Sequence, residues 1–256
     1  MSITTPRFTG KVAFVTGAAG GIGRATALAY AAEGARVAVA DLPGAGHDET
    51  ASLITAAGGT ATAVDLDVSD ASQVVAVLDH VVSTWGRLDV AFNNAGVEQT
   101  QTPTADLDDA EFGRIMAVDV HGVYLCMKHE IRHMKASGGG AIVNTSSGAG
   151  VMGIAGQAAY AAAKHAVIGL SKSTALEVVG EGIRVNVVAP GMIDTEMIQR
   201  LTGGTDEGYA NVIVQEPIGR LGKPDEIASA VLWLTSDDGG FAVGHTLIVD
   251  GGQTIG

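Results

Sequence analysis

Short runs rich in β-branched residues alternate with longer amphipathic stretches along nearly the whole chain, and no other feature restricts the fold so severely. Residues 11–16, 36–40, 61–64, 88–92, 141–144, 184–188 and 246–249 read as strands, while 22–33, 47–57, 70–84, 109–135, 158–179 and 224–236 read as helices. Strands separated by helices pair in parallel, and both faces of the resulting sheet are then covered. The expectation is an α/β, doubly wound, seven-stranded, mainly parallel sheet. An apolar content of 46% with 36 glycines suits buried strands joined by tight turns. No linker, repeat or low-complexity block divides residues 1–256, so a single domain is expected. Glycine and polar residues around 202–208 interrupt the pattern, which marks a mobile insertion inside a substrate-loop region at about 192–216.

With 28 acidic against 15 basic residues, the net charge of −13 opposes binding to nucleic acid or to anionic membrane surfaces. No apolar run approaches the roughly 20 residues needed to span a bilayer. Residues 1–10 lack the charged and apolar regions of a secretory signal, so the expected location is cytoplasmic. The single cysteine, Cys126, cannot form an internal disulfide and reads as a small buried hydrophobe.

The first strand runs into Thr16-Gly17-Ala18-Ala19-Gly20-Gly21-Ile22-Gly23 and then a helix, so free amides meet a backbone that a pyrophosphate can approach closely. Asp41 closes the second strand about 20 residues later, where a carboxylate accepts from ribose hydroxyls and repels a 2′-phosphate. That favours NAD over NADP, with the neighbouring Leu42 adding no charge and Arg24 as the one nearby cation. A plain turn at the end of a strand is the competing reading of Asp41. Asp67 and Val68 follow the third strand and suit an adenine ring, or Asp67 serves as a cap for the helix near Asp70. Tyr160 and Lys164 stand four apart, which on a helix places a phenol and an ammonium on one face. A nearby cation favours phenolate and suits the pair to proton transfer.

Thr16-Gly17-x-x-x-Gly21-x-Gly23, Asn93-Asn94-Ala95-Gly96, Ser147, Tyr160-x-x-x-Lys164 and Pro190-Gly191 together resemble the short-chain dehydrogenase/reductase family, in the family's order and over nearly the whole chain. The closing Val249-Asp250-Gly251-Gly252 resembles its C-terminal pattern. The resemblance implies a Rossmann-like fold and an NAD-dependent oxidoreductase transferring hydride between a secondary alcohol and its ketone. It implies Tyr160 as the general acid/base, Lys164 on the ribose hydroxyls and favouring the tyrosinate, and Ser147 on the substrate oxygen. Ser146 is the rival serine, but Ser147 has the family's spacing to Tyr160. Gly17, Gly21, Ile22, Gly23, Asp41, Leu42, Asp67, Val68, Asn94, Ala95, Gly96, Ile193 and Thr195 join Tyr160 and Lys164 as expected cofactor contacts. A homotetramer is implied, built partly on the helices near 109–135 and 158–179.

Asp119 departs from this pattern, because the family commonly has asparagine there, helping to hold a water that links the lysine to solvent. If the backbone carbonyl holds that water the change is tolerated; if side-chain donation matters, an ionised carboxylate cannot replace an amide, and the expected consequence is reduced or retuned activity rather than none. Expected substrate neighbours are Val97, Met152, Ile154, Gln157, Met192 and the loop through Gly208, giving a mainly apolar pocket for a small alcohol or carbonyl compound.

Other readings compete. His129-Glu130-Ile131-Arg132-His133 matches the His-Glu-x-x-His zinc motif. A zinc hydrolase leaves the glycine turn, Asp41 and the Tyr160/Lys164 pair unexplained, so the pentapeptide reads as a polar helix face and no metal is expected. A 3-oxoacyl-thioester reductase is an alternative within the same chemistry. A catalytically weak, NAD-sensing regulator is the binding-class alternative, favoured by Asp119 and opposed by Ser147, Tyr160 and Lys164.

Overall fold

The computed structural model describes residues 6–214 and 216–255. Seven strands, β1 (Val12–Thr16), β2 (Arg36–Asp41), β3 (Thr60–Asp65), β4 (Val90–Asn93), β5 (Gly140–Thr145), β6 (Ile183–Pro190) and β7 (Thr246–Val249), form one sheet in the order β3-β2-β1-β4-β5-β6-β7. Every pairing between them is parallel.

Strand periodicity divides the core into two layers. Val12 and Phe14 of β1 face the helices α3 (Ala71–Trp85), α5 (Val123–Ser137) and α6 (Ala158–Val178), whereas Ala13 and Val15 face α1 (Gly21–Ala32), α2 (His47–Ala56) and α9 (Pro224–Thr235). Both sets are buried, which explains why β1 reads as a continuous apolar run rather than an alternating one. Helix ends follow local chemistry. Asp70 caps α3 by accepting from the amides of Ser72 and Gln73, and Gly86 ends it at φ +81°. Asp67 instead accepts from the amide and hydroxyl of Ser69, so its proposed capping role passes to Asp70.

Two expectations change. Residues 109–135 are not one helix: α4 (Asp109–Met116) and α5 are separated by a π-helical turn, Ala117–Gly122. A Cβ on Gly122 would stand 2.7 Å from Cγ2 of Val68, so only glycine lets this turn pack so closely. The region at 202–208 is not simply an insertion, because α7 (Glu196–Leu201) and α8 (Asp206–Ile213) leave only 202–205 between them. Strand order reverses between β1 and β4, and a doubly wound sheet opens its ligand crevice at that switch point, beyond the strands' C-terminal ends. Among the described residues, no helix is long and apolar enough to cross a membrane.

Candidate active site

A cavity of about 560 Å³ lies at this switch point. Its floor is the turn after β1. Gly17 has φ +63°, and a Cβ there would stand 2.9 Å from backbone atoms of Ala95. Thr16 Oγ1 accepts from the amides of Asn94 and Ala95, while Asn94 Nδ2 donates to the carbonyls of Thr16 and Gly17. The loops after β1 and β4 are thereby tied side by side. Gly21 faces Thr195, whose methyl would lie 3.0 Å from an added Cβ. Gly23 does not line the cavity as expected; it lies behind the turn, where a Cβ would fall 2.0 Å from the Gly17 carbonyl oxygen. Its part is to let α1 close on the turn. The remaining expected cofactor positions all line the cavity: Gly17, Gly21, Ile22, Asp41, Leu42, Asp67, Val68, Asn94, Ala95, Gly96, Tyr160, Lys164, Ile193 and Thr195.

Asp41 sits at one end with Oδ2 accepting from the Ala19 amide and Oδ1 from that of Leu42, each at 2.8 Å. Each carboxylate oxygen keeps further accepting capacity for a ribose hydroxyl. Arg24 is held elsewhere, donating to Thr50 Oγ1 and to Glu49 Oε2 at 2.7 Å, and it does not line the cavity.

Ser147, Tyr160 and Lys164 converge at the other end. Ser147 Oγ accepts from the Ala149 amide at 3.2 Å, whereas Ser146 is buried and donates its hydroxyl to the Lys164 carbonyl. The two serines are thus separated by geometry as well as spacing. Lys164 Nζ lies 5.3 Å from the centre of the Tyr160 ring and 3.1 Å from Asp119 Oδ2. Asp119 is fully buried behind Lys164, and its Oδ1 accepts from the Val97 amide at 2.8 Å. Burial alone would lower the Lys164 pKa, but the charge of the Asp119 carboxylate, and of Tyr160 when it is a phenolate, raises it above its ordinary value. Gly96 makes room for the pair, since a Cβ there would stand 3.2 Å from Nζ.

Comparison with known proteins gives this geometry its context. Residues 17–254 match the family profile described as enoyl-(acyl carrier protein) reductase. The cis-4-hydroxycyclohexanecarboxylate dehydrogenase of Sinomonas cyclohexanicum is 44% identical over 96% of this chain and 98% of its own. The chain belongs to the short-chain dehydrogenase/reductase family. The cyclohexanol dehydrogenase of Acinetobacter sp. (strain SE19) is 40% identical, covering 98% of each chain. The crystal structure of levodione reductase superposes with a TM-score of 0.93 at 37% identity, over 97% of this chain and 99% of that one. As a short-chain dehydrogenase/reductase, the protein is an oxidoreductase that uses a nicotinamide cofactor on a small alcohol or carbonyl compound.

The structure also supplies residues that sequence reasoning missed in this short-chain dehydrogenase/reductase. Gln99 is buried, and its Oε1 accepts from the Tyr160 amide at 3.0 Å while Nε2 donates to the Gly156 carbonyl. The loop after β4 therefore fixes the first turn of the helix that carries Tyr160. Glu98 and Arg200 line the mouth and meet at 2.6 Å, which holds the Glu98 carboxyl below its ordinary pKa and fastens α7 across the cleft. No local pattern announces either contact. Val97, Ile154, Gln157 and Met192 line the cavity as expected; Met152 and Gly208 do not, and the lining contributed by 192–216 ends at Leu201.

The zinc-like pentapeptide separates into unrelated environments. His129 shares a hydrogen bond with Arg132, His133 pairs with Asp79 at 3.1 Å, and Glu130 is buried. Among the described residues, no three metal-ligating side chains are grouped to hold a metal. Cys126 is buried and its thiol is pushed well above its ordinary pKa by burial and by Glu130, which makes it a poor nucleophile.

Proposed function

We propose that this chain is an NAD-dependent dehydrogenase/reductase interconverting an alicyclic secondary alcohol and the matching ketone. The observation that carries the reading is one cavity with Asp41 at one end and Ser147, Tyr160 and Lys164 at the other. The glycine turn fits a dinucleotide, because Gly17 and Gly21 both take positive φ and a Cβ at either would crowd the Ala95 backbone or Thr195 beside the cleft. When bound, the nicotinamide accepts or donates the hydride. Asp41 takes the adenosine ribose and repels a 2′-phosphate, while Arg24 stays engaged with Glu49. Asp67 and Val68 would hold the adenine, Asn94, Ala95 and Gly96 would allow close approach along the cleft, and Ile193 and Thr195 would hold the nicotinamide.

In oxidation, Tyr160 Oη takes the proton of the substrate hydroxyl as hydride leaves the carbinol carbon. Ser147 Oγ donates to the substrate oxygen and holds charge there, and Lys164 donates to ribose hydroxyls beside the phenol. Reduction reverses the proton's path. The carbocyclic substrates named for the two dehydrogenase relatives support an alicyclic ring in the apolar wall formed by Val97, Ile154 and Met192. The whole chain acts as one catalytic domain, as a homotetramer in the cytoplasm.

Replacing Tyr160 with Phe tests the chemistry: turnover falls by about 10²–10⁴-fold with cofactor binding retained. Near-normal turnover would remove Tyr160 from the acid/base role. A panel of cyclic alcohols and 3-oxoacyl thioesters, run with NAD and NADP, tests the rest. Preference for NADP would overturn the Asp41 argument, preference for thioesters the substrate class, and cofactor binding without any turnover the enzyme itself.

A further inference from the structure

Glu130, left without a role once zinc is set aside, occupies surroundings unusual for a carboxyl group. It is fully buried on α5, and its Oε2 accepts from Asn93 Nδ2 at 3.0 Å. The same nitrogen donates to Asn144 Oδ1 at 2.9 Å. Asn144 Nδ2 donates to Ser171 Oγ at 2.8 Å, and Ser171 donates in turn to the Val167 carbonyl. The bonded groups run from α5 across the ends of β4 and β5 into α6.

Two buried acceptors in this chain of bonds lack a donor: Glu130 Oε1 and Asn93 Oδ1. They are the second carboxyl oxygen of Glu130 and the amide oxygen of Asn93, in the two groups already joined through Oε2 and Nδ2. Among the described residues, no cation is paired with Glu130. The elements packed around α5 offer Asn93 from β4, Asn144 from β5, Ser171 from α6 and apolar side chains from α3 and β6. Asp119 of the π-helical turn is committed to Lys164, and Asp79 of α3 to His133. On α5 itself, Cys126 is the titratable neighbour that feels Glu130, while Lys128 stacks on Tyr124 and Arg132 meets His129.

A single proton satisfies both orphaned oxygens. We propose that Glu130 is held as a neutral carboxylic acid whose Oε1–H donates to Asn93 Oδ1, closing a two-bond acid–amide ring that positions the ends of β4 and β5. A primary amide has one acceptor and two donors, and this arrangement uses all three on Asn93. Burial pushes the Glu130 carboxyl up to about 8, in keeping with a retained proton at neutral pH. Asn93 directly precedes Asn94, Ala95 and Gly96, and Asn144 stands three residues before Ser147. Glu130 is therefore a positioning residue that acts on the site through both strand ends.

The test is infrared difference spectroscopy of the whole protein against Glu130→Gln, whose amide can reproduce one acceptor and one donor toward Asn93. Wild type shows a protonated-carboxyl band at neutral pH that is missing in the variant and disappears with a midpoint near 8. Thermal unfolding gives a second readout. A carboxyl whose value rises from 4.5 unfolded to about 8 folded stabilises fully below the lower value and loses that contribution as pH climbs to the upper one. Wild type therefore loses Tm relative to Glu130→Gln across that window. Parallel Tm profiles, or a wild-type spectrum without the band, would overturn the proposal, and the spectrum alone decides if the variant does not fold. A kinetic arm rests on the proposed NAD reaction: KM for NAD rises above about pH 8 in wild type but not in Glu130→Gln, and a rise of equal size in both overturns the positioning role. The spectroscopic and unfolding arms read no activity, so their failure leaves the redox reading standing, and the failure of Tyr160→Phe leaves them standing.

Discussion

Asp119 and Glu130 lie in the same helical stretch, both fully buried, yet they meet opposite partners. Asp119 faces the Lys164 ammonium at 3.1 Å and a backbone amide at 2.8 Å. Glu130 faces the side-chain amide of Asn93 at 3.0 Å and no cation. Removing a charge from water is costly, and only a close counter-charge with further hydrogen bonds offsets it. The π-helical turn that carries Asp119 lets one stretch serve both ends: Asp119 is brought beneath the cavity, and Glu130, on α5, is sealed against the sheet. The two buried acids of this stretch differ in what is folded against them, a cation for Asp119 and a side-chain amide for Glu130.

Removing each acid in turn is the strongest way to break this comparison. Asp119→Leu strands the Lys164 ammonium in a buried site and should cost about 3–5 kcal/mol. Glu130→Leu leaves the Asn93 amide short of partners and should cost about 1–3 kcal/mol. Urea unfolding at neutral pH measures both, and equal losses would mean that the two acids share a charge state.

Asp119→Asn sharpens the comparison at smaller scale. The amide keeps an oxygen for the Val97 N–H but removes the negative charge opposite Lys164. The ammonium then acts on the Tyr160 ring without opposition, so the pH profile of alcohol oxidation moves to lower pH. Rates measured across the pH range with saturating NAD and alcohol check this. An unmoved profile would show that the carboxylate does not tune the proton-transfer group.

What was legible in the sequence depended on the distance over which each signal acts. Gly17 and Gly21 announce a tight turn, Asp41 ends its own strand, and Tyr160 and Lys164 are placed by helical spacing; all of them line the cavity. The seven strands and their parallel pairing follow from apolar runs and intervening helices. The break in 109–135 was invisible, because it depends on Gly122 packing against Val68 and on Asp119 reaching the Val97 amide. Gln99 was missed for the same reason, since its partner is the Tyr160 amide on a different element. The sequence around Glu130 has the pattern of a polar helix face, and only the positions of Asn93 and Asn144 show that Glu130 points inward. At 202–208 the polar and glycine-rich composition masked α8, whose N-terminus is secured by Thr205 accepting from the Gly208 amide.

The smallest expected effect comes from a third acid with a different environment. Glu98 meets Arg200 at 2.6 Å, as close a contact as any around the buried acids, but the Arg200 side chain is 57% exposed. Water and salt screen such a pair, so a double-mutant cycle with Glu98→Gln and Arg200→Gln should give a coupling of only about 0.2–1 kcal/mol. Arg200 holds the Glu98 carboxyl below its ordinary pKa, so this contribution is present at neutral pH and is lost as pH falls through the folded value. Raising the ionic strength to about 1 M, where the screening length is roughly 3 Å, should reduce the coupling further, while the difference between wild type and Asp119→Leu changes little. A coupling at the mouth that matched the Asp119 effect and survived salt would mean that burial is not what separates these carboxylates.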